Sequence, residues 1–226
     1  MKLSMRRPSV TARTSRGAFI LVEGIDRSGK STQVRALVER LHRDNMPAKA
    51  IRFPDRASVT GKLLDEFLKG GIALPDKSVH LLFCANRWEA AEEISKTLQS
   101  GTHVICDRYT YSGQAYSMAK DVGITQEWAR SADAGLPAPD LVVYLDLPVE
   151  CTIKRSGFGS ERYEKIDSLR KVQRAFEILR AQWQKGDEAP WFLIDATDDA
   201  RSIHRAIYAK ACKVIEYVAT RKIQTL

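Results

Sequence analysis

No stretch of this 226-residue chain approaches the roughly 18 consecutive apolar residues that a membrane-crossing helix requires. No internal repeat or low-complexity tract occurs after residue 17. There is no Cys-x-x-Cys, and no cysteine and histidine stand at zinc-binding spacing. The four cysteines (Cys84, Cys106, Cys151 and Cys212) are widely separated, so they read as reduced, partly buried thiols and not as a disulfide framework. Residues 1–16 contain no acid but hold Lys2, Arg6, Arg7, Arg13 and Arg16, which is most of the formal net charge of +8. The remainder carries 31 bases against 28 acids, so the basic pI gives little support to a nucleic-acid-binding surface.

The same segment lacks the apolar core of a secretory signal. Its Arg, Ser and Thr content is that of an organellar transit peptide, but no amphipathic helix is visible, and a flexible basic tail over 1–16 is the simpler expectation. Residues 17–226 read as one folded domain. Hydrophobic residues at 44% and charged residues at 28% suffice for a substantial core.

Short apolar runs recur at Ala18–Glu23, Lys49–Phe53, His103–Asp107, Leu141–Asp146 and Trp191–Asp195, each ending in a polar or aromatic residue. Runs apolar on both faces suit strands of a parallel sheet covered on both sides. Helical spacing occupies Ser31–Arg43, Val79–Leu98, Ile166–Gln184 and Ala200–Val218, with Val34, Leu37, Val38 and Leu41 on one face of the first. Alternating strands and helices predict an α/β fold with a five-stranded, doubly wound parallel sheet. Gly70-Gly71 and Gly135-Leu136-Pro137 read as loops within it.

The strongest local signal is Gly24-Ile25-Asp26-Arg27-Ser28-Gly29-Lys30-Ser31, a G-x-x-x-x-G-K-[ST] phosphate-binding loop between a strand and an amphipathic helix. About 0.01 such matches would arise by chance in a chain of this length. The glycines let successive backbone N–H groups converge on an anion at a helix N-terminus. Lys30 can reach the β- and γ-phosphates of a nucleotide, and the Ser31 hydroxyl can ligate Mg²⁺. The motif predicts a P-loop NTPase fold and an ATP or GTP site.

Ligands of open α/β sheets bind beyond the carboxyl ends of the strands. Three polar clusters fall there: the phosphate loop, Arg52-Phe53-Pro54-Asp55-Arg56, and Asp107-Arg108-Tyr109. Asp107 is placed to hold Mg²⁺ through water. Arg56 and Arg108 suit phosphate clamps, since a guanidinium grips phosphate oxygens in bidentate fashion. Arg27 could neutralise charge on a transferring phosphoryl group. Phe83 and Arg87 share a helix face, where a base could stack on the ring and hydrogen-bond to the arginine. Periodicity alone favours the plainer assignment, Phe83 in the core and Arg87 in an ion pair. Residues 152–164 suit a mobile lid with Lys154, Arg155 and Arg162 as cations, the alternative being an exposed basic loop.

Together these motifs resemble the thymidylate kinase family over residues 18–215, on Glu23–Gln33, Arg52–Arg56, Leu82–Glu89, Asp107–Tyr109 with Ser112-Gly113, Pro139-Asp140 and Phe158–Glu164. The resemblance implies a nucleoside monophosphate kinase-like fold, ATP-dependent phosphorylation of dTMP to dTDP in dTTP biosynthesis, Mg²⁺ and a homodimer. It places ATP on residues 24–31 and Thr32, with Arg155 beside the adenine. For dTMP it implies Asp26 at the 3′-hydroxyl, Phe53 and Phe83 against thymine with Pro54 nearby, and Arg87 on a thymine carbonyl. It further implies Ser112 and Gly113 near the base edge, Tyr116 in the pocket where phenylalanine is common, and Tyr163 crowding the 2′ position. Arg56 and Arg108 would bind the dTMP phosphate, and Arg27 in the loop is similar to the eukaryote-type branch. Arg27, Lys30, Asp107 and Arg108 are the expected catalytic set. The expected compartment is the cytoplasm, with nuclear or mitochondrial import through the basic tail as the alternative. No nucleic-acid or membrane partner is expected. The competing functions are a deoxynucleoside kinase, which Arg56 beside Phe53 disfavours, and a non-catalytic nucleotide-binding protein. A small GTPase is disfavoured because Asn-Lys-x-Asp is missing.

Overall fold

The computed structural model of the chain describes residues 15–120, 122–153, 162–163, 165–183 and 190–226. Strands β1 (Phe19–Glu23), β2 (Ala48–Arg52), β3 (His103–Asp107), β4 (Leu141–Asp146) and β5 (Trp191–Asp195) form one sheet in the order β2-β3-β1-β4-β5. Every pairing is parallel. Eight helices are present among the described residues: α1 (Lys30–Arg43), α2 (Val59–Leu68), α3 (Asp76–Gln99), α4 (Thr110–Met118), α5 (Gln126–Ser131), α6 (Val149–Thr152), α7 (Ile166–Trp183) and α8 (Ala200–Val218).

The apolar run of β1 explains its central place. Phe19 and Leu21 point to one face, where Ile94 and Leu98 of α3 and Leu169, Val172 and Phe176 of α7 meet them. Ile20 and Val22 point to the other, against Leu37 and Leu41 of α1 and Ile203 and Ile207 of α8. Each of these β1 side chains is fully buried, worth about 1.5–3 kcal/mol apiece relative to exposure. The expected sheet and four long helices are therefore present. Boundaries shift by one to three residues, and the shift that bears on the site is in β2, which begins at Ala48 and stops at Arg52. Phe53 lies just beyond it, its N–H donating to the Asp107 carbonyl at 3.0 Å.

The short helices α2, α4 and α5 were not expected from the sequence. α2 starts where the Ser58 side chain accepts from the Gly61 N–H at 3.1 Å, and α5 where Thr125 accepts from Trp128 at 3.2 Å, both ordinary N-caps. α4 buries Thr110, Tyr111, Ser112, Gln114, Ala115 and Ser117, so its sequence shows no polar stripe. A helix enclosed nearly all round loses the periodicity that would reveal it.

The tail boundary needs correction. Arg16, assigned to the flexible segment, belongs to the folded body. Its guanidinium grips both oxygens of Asp140 at 2.7 Å, and Asp140 also accepts the Phe19 N–H at 2.8 Å. Asp140→Ala strands a largely buried guanidinium and a β1 amide together, and should cost about 3 kcal/mol. Urea unfolding measures this, and a loss below about 1 kcal/mol would assign the pair no structural weight.

Candidate active site

The phosphate loop leaves β1 at Gly24 and enters α1 through Gly29, whose φ of 102° lies in the left-handed region that glycine adopts without strain. No side chain caps α1, so the first-turn N–H groups that a helix leaves unpaired are available to an anion. Lys30 is buried and curls back along the loop, donating to the Ile25 carbonyl at 2.6 Å and the Ser28 hydroxyl at 3.3 Å. Burial, reinforced by the nearby Arg108 cation, lowers its ammonium pKa to about 7. Ile25 is itself a core side chain, so only its backbone serves the loop. Arg27 takes a left-handed φ of 63°, and Thr32 is exposed on the first turn of α1.

The Ser31 hydroxyl donates to Asp107 Oδ2 at 2.5 Å. Asp107 Oδ1 is buried and has no partner among the described residues. A hydroxyl and a half-satisfied carboxylate therefore meet beside the loop, a donor set suited to a hard cation that keeps several waters. Among the described residues no group of three His, Cys, Asp or Glu side chains could hold a metal by itself.

All eleven residues expected around the acceptor line one cleft: Asp26, Phe53, Pro54, Arg56, Phe83, Arg87, Arg108, Ser112, Gly113, Tyr116 and Tyr163. Arg108 sits at the junction of cleft and loop. It forms an ion pair with Asp26 Oδ1 and donates to the Gly24 carbonyl at 3.3 Å and Ser112 Oγ at 3.2 Å. The Tyr116 hydroxyl donates to Asp26 Oδ2 at 2.7 Å. Burial alone would raise the Asp26 carboxyl, but Arg108, Lys30, the Tyr116 hydroxyl and Arg27 hold it below the usual carboxylate range. Arg56 is braced by Asp65 of α2 at 2.7 Å.

The plainer assignment of Phe83 and Arg87 holds, and both side chains also line the cleft. Phe83 packs against the Phe67, Leu68 and Val79 cluster while one side faces the cleft. Arg87 is 2% exposed and ion-paired, its Nε donating to Asp133 Oδ1 at 2.9 Å and its Nη2 to Oδ2 at 2.8 Å. Nη1 takes no part in that fork. Gly113 permits the arrangement, since a Cβ there would stand 2.9 Å from Nη1 and Nη2. Asp133 was missed from sequence because nothing local marks it: its partner lies 46 positions away.

Of the expected lid, 154–161 and 164 lie outside the described residues, Arg155 among them. Arg162, expected as a lid cation, is engaged at the end of α2 in this structure. It stacks over the Phe67 ring at 4.3 Å and donates to the Phe67 and Ile72 carbonyls at 3.1 and 2.8 Å, covering acceptors at the end of α2. Tyr163 comes next and enters the cleft, edge-on to Tyr116 at 5.5 Å. Lys120, also unforeseen, lines the cleft and pairs with Asp76 at 3.0 Å.

Asp133→Asn removes the charge that answers a buried guanidinium and should destabilise the protein by about 3–5 kcal/mol, read from the shift in urea midpoint at unchanged slope. A shift worth under about 1 kcal/mol would show Arg87 to be satisfied without it.

Residues 22–207 match the family model described as Thymidylate kinase. A thymidylate kinase of Schizosaccharomyces pombe is 40% identical over 196 residues, covering 87% of this chain and 92% of the relative. The Homo sapiens thymidylate kinase is 41% identical over 192 residues, covering 85% and 88%. The solved structure of thymidylate kinase from Candida albicans superposes with a TM-score of 0.84 at 36% identity, over 94% of this chain and 99% of that one. The match takes in the phosphate loop, the three strand ends and most of the sheet that carries them, and the chain belongs to the thymidylate kinase family.

Proposed function

We propose that dTMP occupies the aromatic and arginine-lined cleft, that ATP lies on the phosphate loop, and that the two meet at Arg108. The observation that carries this reading is the position of Arg108, bonded to the loop at Gly24 and to the cleft at Asp26 and Ser112. The reaction is ATP + dTMP → ADP + dTDP, a phosphotransferase step.

A phosphate oxygen of dTMP is anionic near neutral pH and needs little help from a general base. The difficulty is repulsion between two polyanions. Lys30, Arg27 and Arg108 screen it from fixed positions, where preorganised cations are worth most. Arg56 holds the acceptor phosphate from the far side. Residues Gly24 to Ser31 and Thr32 enclose the donor phosphates through backbone N–H groups and short polar side chains. Asp26 accepts the 3′-hydroxyl, its carboxylate kept ionised by its neighbours. Phe53 and Phe83, with Pro54, flank the base, and Arg87 offers Nη1 to a thymine carbonyl beside Ser112 and Gly113. Tyr163 closes the 2′ side. Ser31 and Asp107 would hold Mg²⁺, which when bound would neutralise charge on the donor phosphates.

The folded kinase is a single domain, the expected 17–226 with Arg16 added to it. Its homodimer forms through the exposed apolar residues of α3, Leu81 and Trp88 at 48% and 44% exposure. The cytoplasm is the proposed compartment. Among the described residues no helix is long and apolar enough to cross a membrane.

ADP release by purified protein should depend on dTMP and not on thymidine, and release with thymidine alone would transfer the assignment to a nucleoside kinase. Arg108→Ala should lower kcat about 10²-fold or more with the fold intact, and an unchanged kcat would remove Arg108 from the transition state. Lys30 supplies a second test. Its unliganded pKa is about 7, and bound phosphates favour the charged ammonium. ADP binding at pH 8 should therefore take up a proton, giving calorimetric heats that differ between HEPES and Tris buffers. Lys30→Met should abolish the difference, and buffer-independent heats with the unaltered protein would overturn the assignment.

A further inference from the structure

Glu23 ends β1 immediately before the phosphate loop and is completely buried, yet no step of the reaction uses it. Its Oε1 accepts the backbone N–H groups of Tyr109 and Ser112, both at 3.0 Å. Its Oε2 accepts the Ser112 hydroxyl at 2.6 Å. Those donors belong to the start of α4, where the N-cap residue is Tyr109 and no side chain of the helix's own provides a cap. Ser112 is the third residue of α4, the position whose N–H an N-cap side chain ordinarily satisfies. Glu23 fills that role from a different strand.

The residue before that cap is Arg108, whose φ of 67° lies in the left-handed region disfavoured for a side chain with a Cβ. Arg108 Nη1 donates to Ser112 Oγ, the same hydroxyl that donates to Glu23. The chain of donors thus runs from the guanidinium through the hydroxyl to the carboxylate. Burial pushes the Glu23 carboxyl up, while the Ser112 hydroxyl, the Arg108 charge and the two N–H bonds oppose it.

We propose that Glu23 is a positioning residue for phosphoryl transfer: it caps α4 from β1 and, through Ser112, fixes the guanidinium of Arg108 between the donor loop and the acceptor cleft. This rests on the assignment of Arg108 to the transfer step. The carboxylate couples the two half-sites, since the strand that carries it leads into the phosphate loop and the helix it caps lines the cleft. It holds the strained turn at Arg108 and supplies a fixed negative charge behind the cation.

The test is a double-mutant cycle on Glu23→Gln and Arg108→Ala. A glutamine oxygen can still accept both N–H bonds, so helix and fold persist. Its NH₂ must then donate to Ser112 Oγ, which reverses the donor chain and removes the charge. Glu23→Gln should lower kcat about tenfold or more while the KM for ATP moves less than about threefold. In the Arg108→Ala background the same change should cost less than about twofold. An unchanged kcat in Glu23→Gln, or the full loss persisting without Arg108, overturns the proposal and leaves the Arg108 assignment standing. An unchanged kcat in Arg108→Ala overturns both. Should Glu23→Gln fail to fold, Ser112→Ala breaks the same link. Its loss in kcat should likewise vanish when Arg108 is absent, and an additive loss overturns the proposal.

Discussion

The ion pair between Arg108 and Asp26 is the interaction on which the site is built. A kinase that joins two polyanions needs cations already in place before either arrives. Cations gathered in a partly buried cleft repel one another and lose hydration. Each must be answered by a carboxylate, or its burial costs several kcal/mol. Arg108 has Asp26, Arg87 has Asp133 and Arg56 has Asp65. Among the described residues Lys30 bonds no carboxylate, only the Ile25 carbonyl and the Ser28 hydroxyl, and burial with the Arg108 charge lowers its ammonium pKa to about 7 against the pull of Asp26, Asp107 and Glu23. That contrast makes physical sense in a loop whose missing counter-charge is the phosphate of the nucleotide itself.

Holding these groups ready has a conformational cost. Among the described residues, three positions other than glycine adopt a positive φ: Arg27, Asn45 and Arg108. Two of the three are arginines of the site, one in the phosphate loop and one at the end of β3. Such backbones are about 1 kcal/mol or more above relaxed ones and persist only where surrounding bonds over-determine them. At Arg108 the bonds are visible: its own N–H donates to the Val22 carbonyl at 3.1 Å, and the next N–H is taken by Glu23. With this turn in place the guanidinium reaches the loop, bonding the Gly24 carbonyl and Asp26.

The sequence disclosed those parts of the fold whose signal is local. Strand β1 was legible because its buried run is continuous, and α8 because Ile203, Ile207, Ala211 and Val214 recur at helical spacing. The phosphate loop was legible because its chemistry demands particular residue types at fixed spacing. Arg56, Arg108, Phe83 and Arg87 were read from strand ends and helix spacing and the other cleft residues from resemblance, and the structure supplies what both left out, the supports behind them. Helix α4 was invisible because burial on nearly every side erased its periodicity. Asp133, Glu23 and Lys120 were invisible as functional residues because each acts on a group tens of positions away, and an acid or a lysine alone carries no mark of its partner. Arg16 was misassigned for the same reason. Its neighbours in sequence are a basic tail, while its neighbour in space is Asp140.

These misses share a physical cause that bears on how the site is divided. A side chain that touches a ligand is constrained by the ligand's chemistry, so its type can be anticipated: arginine for phosphate, an aromatic ring for a base. A side chain that holds such a residue in place is constrained only by the geometry of the fold. Arg87 illustrates the difference. In the role proposed for it, its type is set by the task of offering an N–H to a carbonyl, while Asp133 takes Nε and Nη2 and leaves Nη1. Gly113 completes the arrangement by having no Cβ where the guanidinium lies. On that proposal, the selectivity of the cleft rests jointly on an arginine that lines it and on the aspartate paired with that arginine. A substitution at Asp133 would free the guanidinium to turn in the cleft even though every residue that lines the cleft is unchanged.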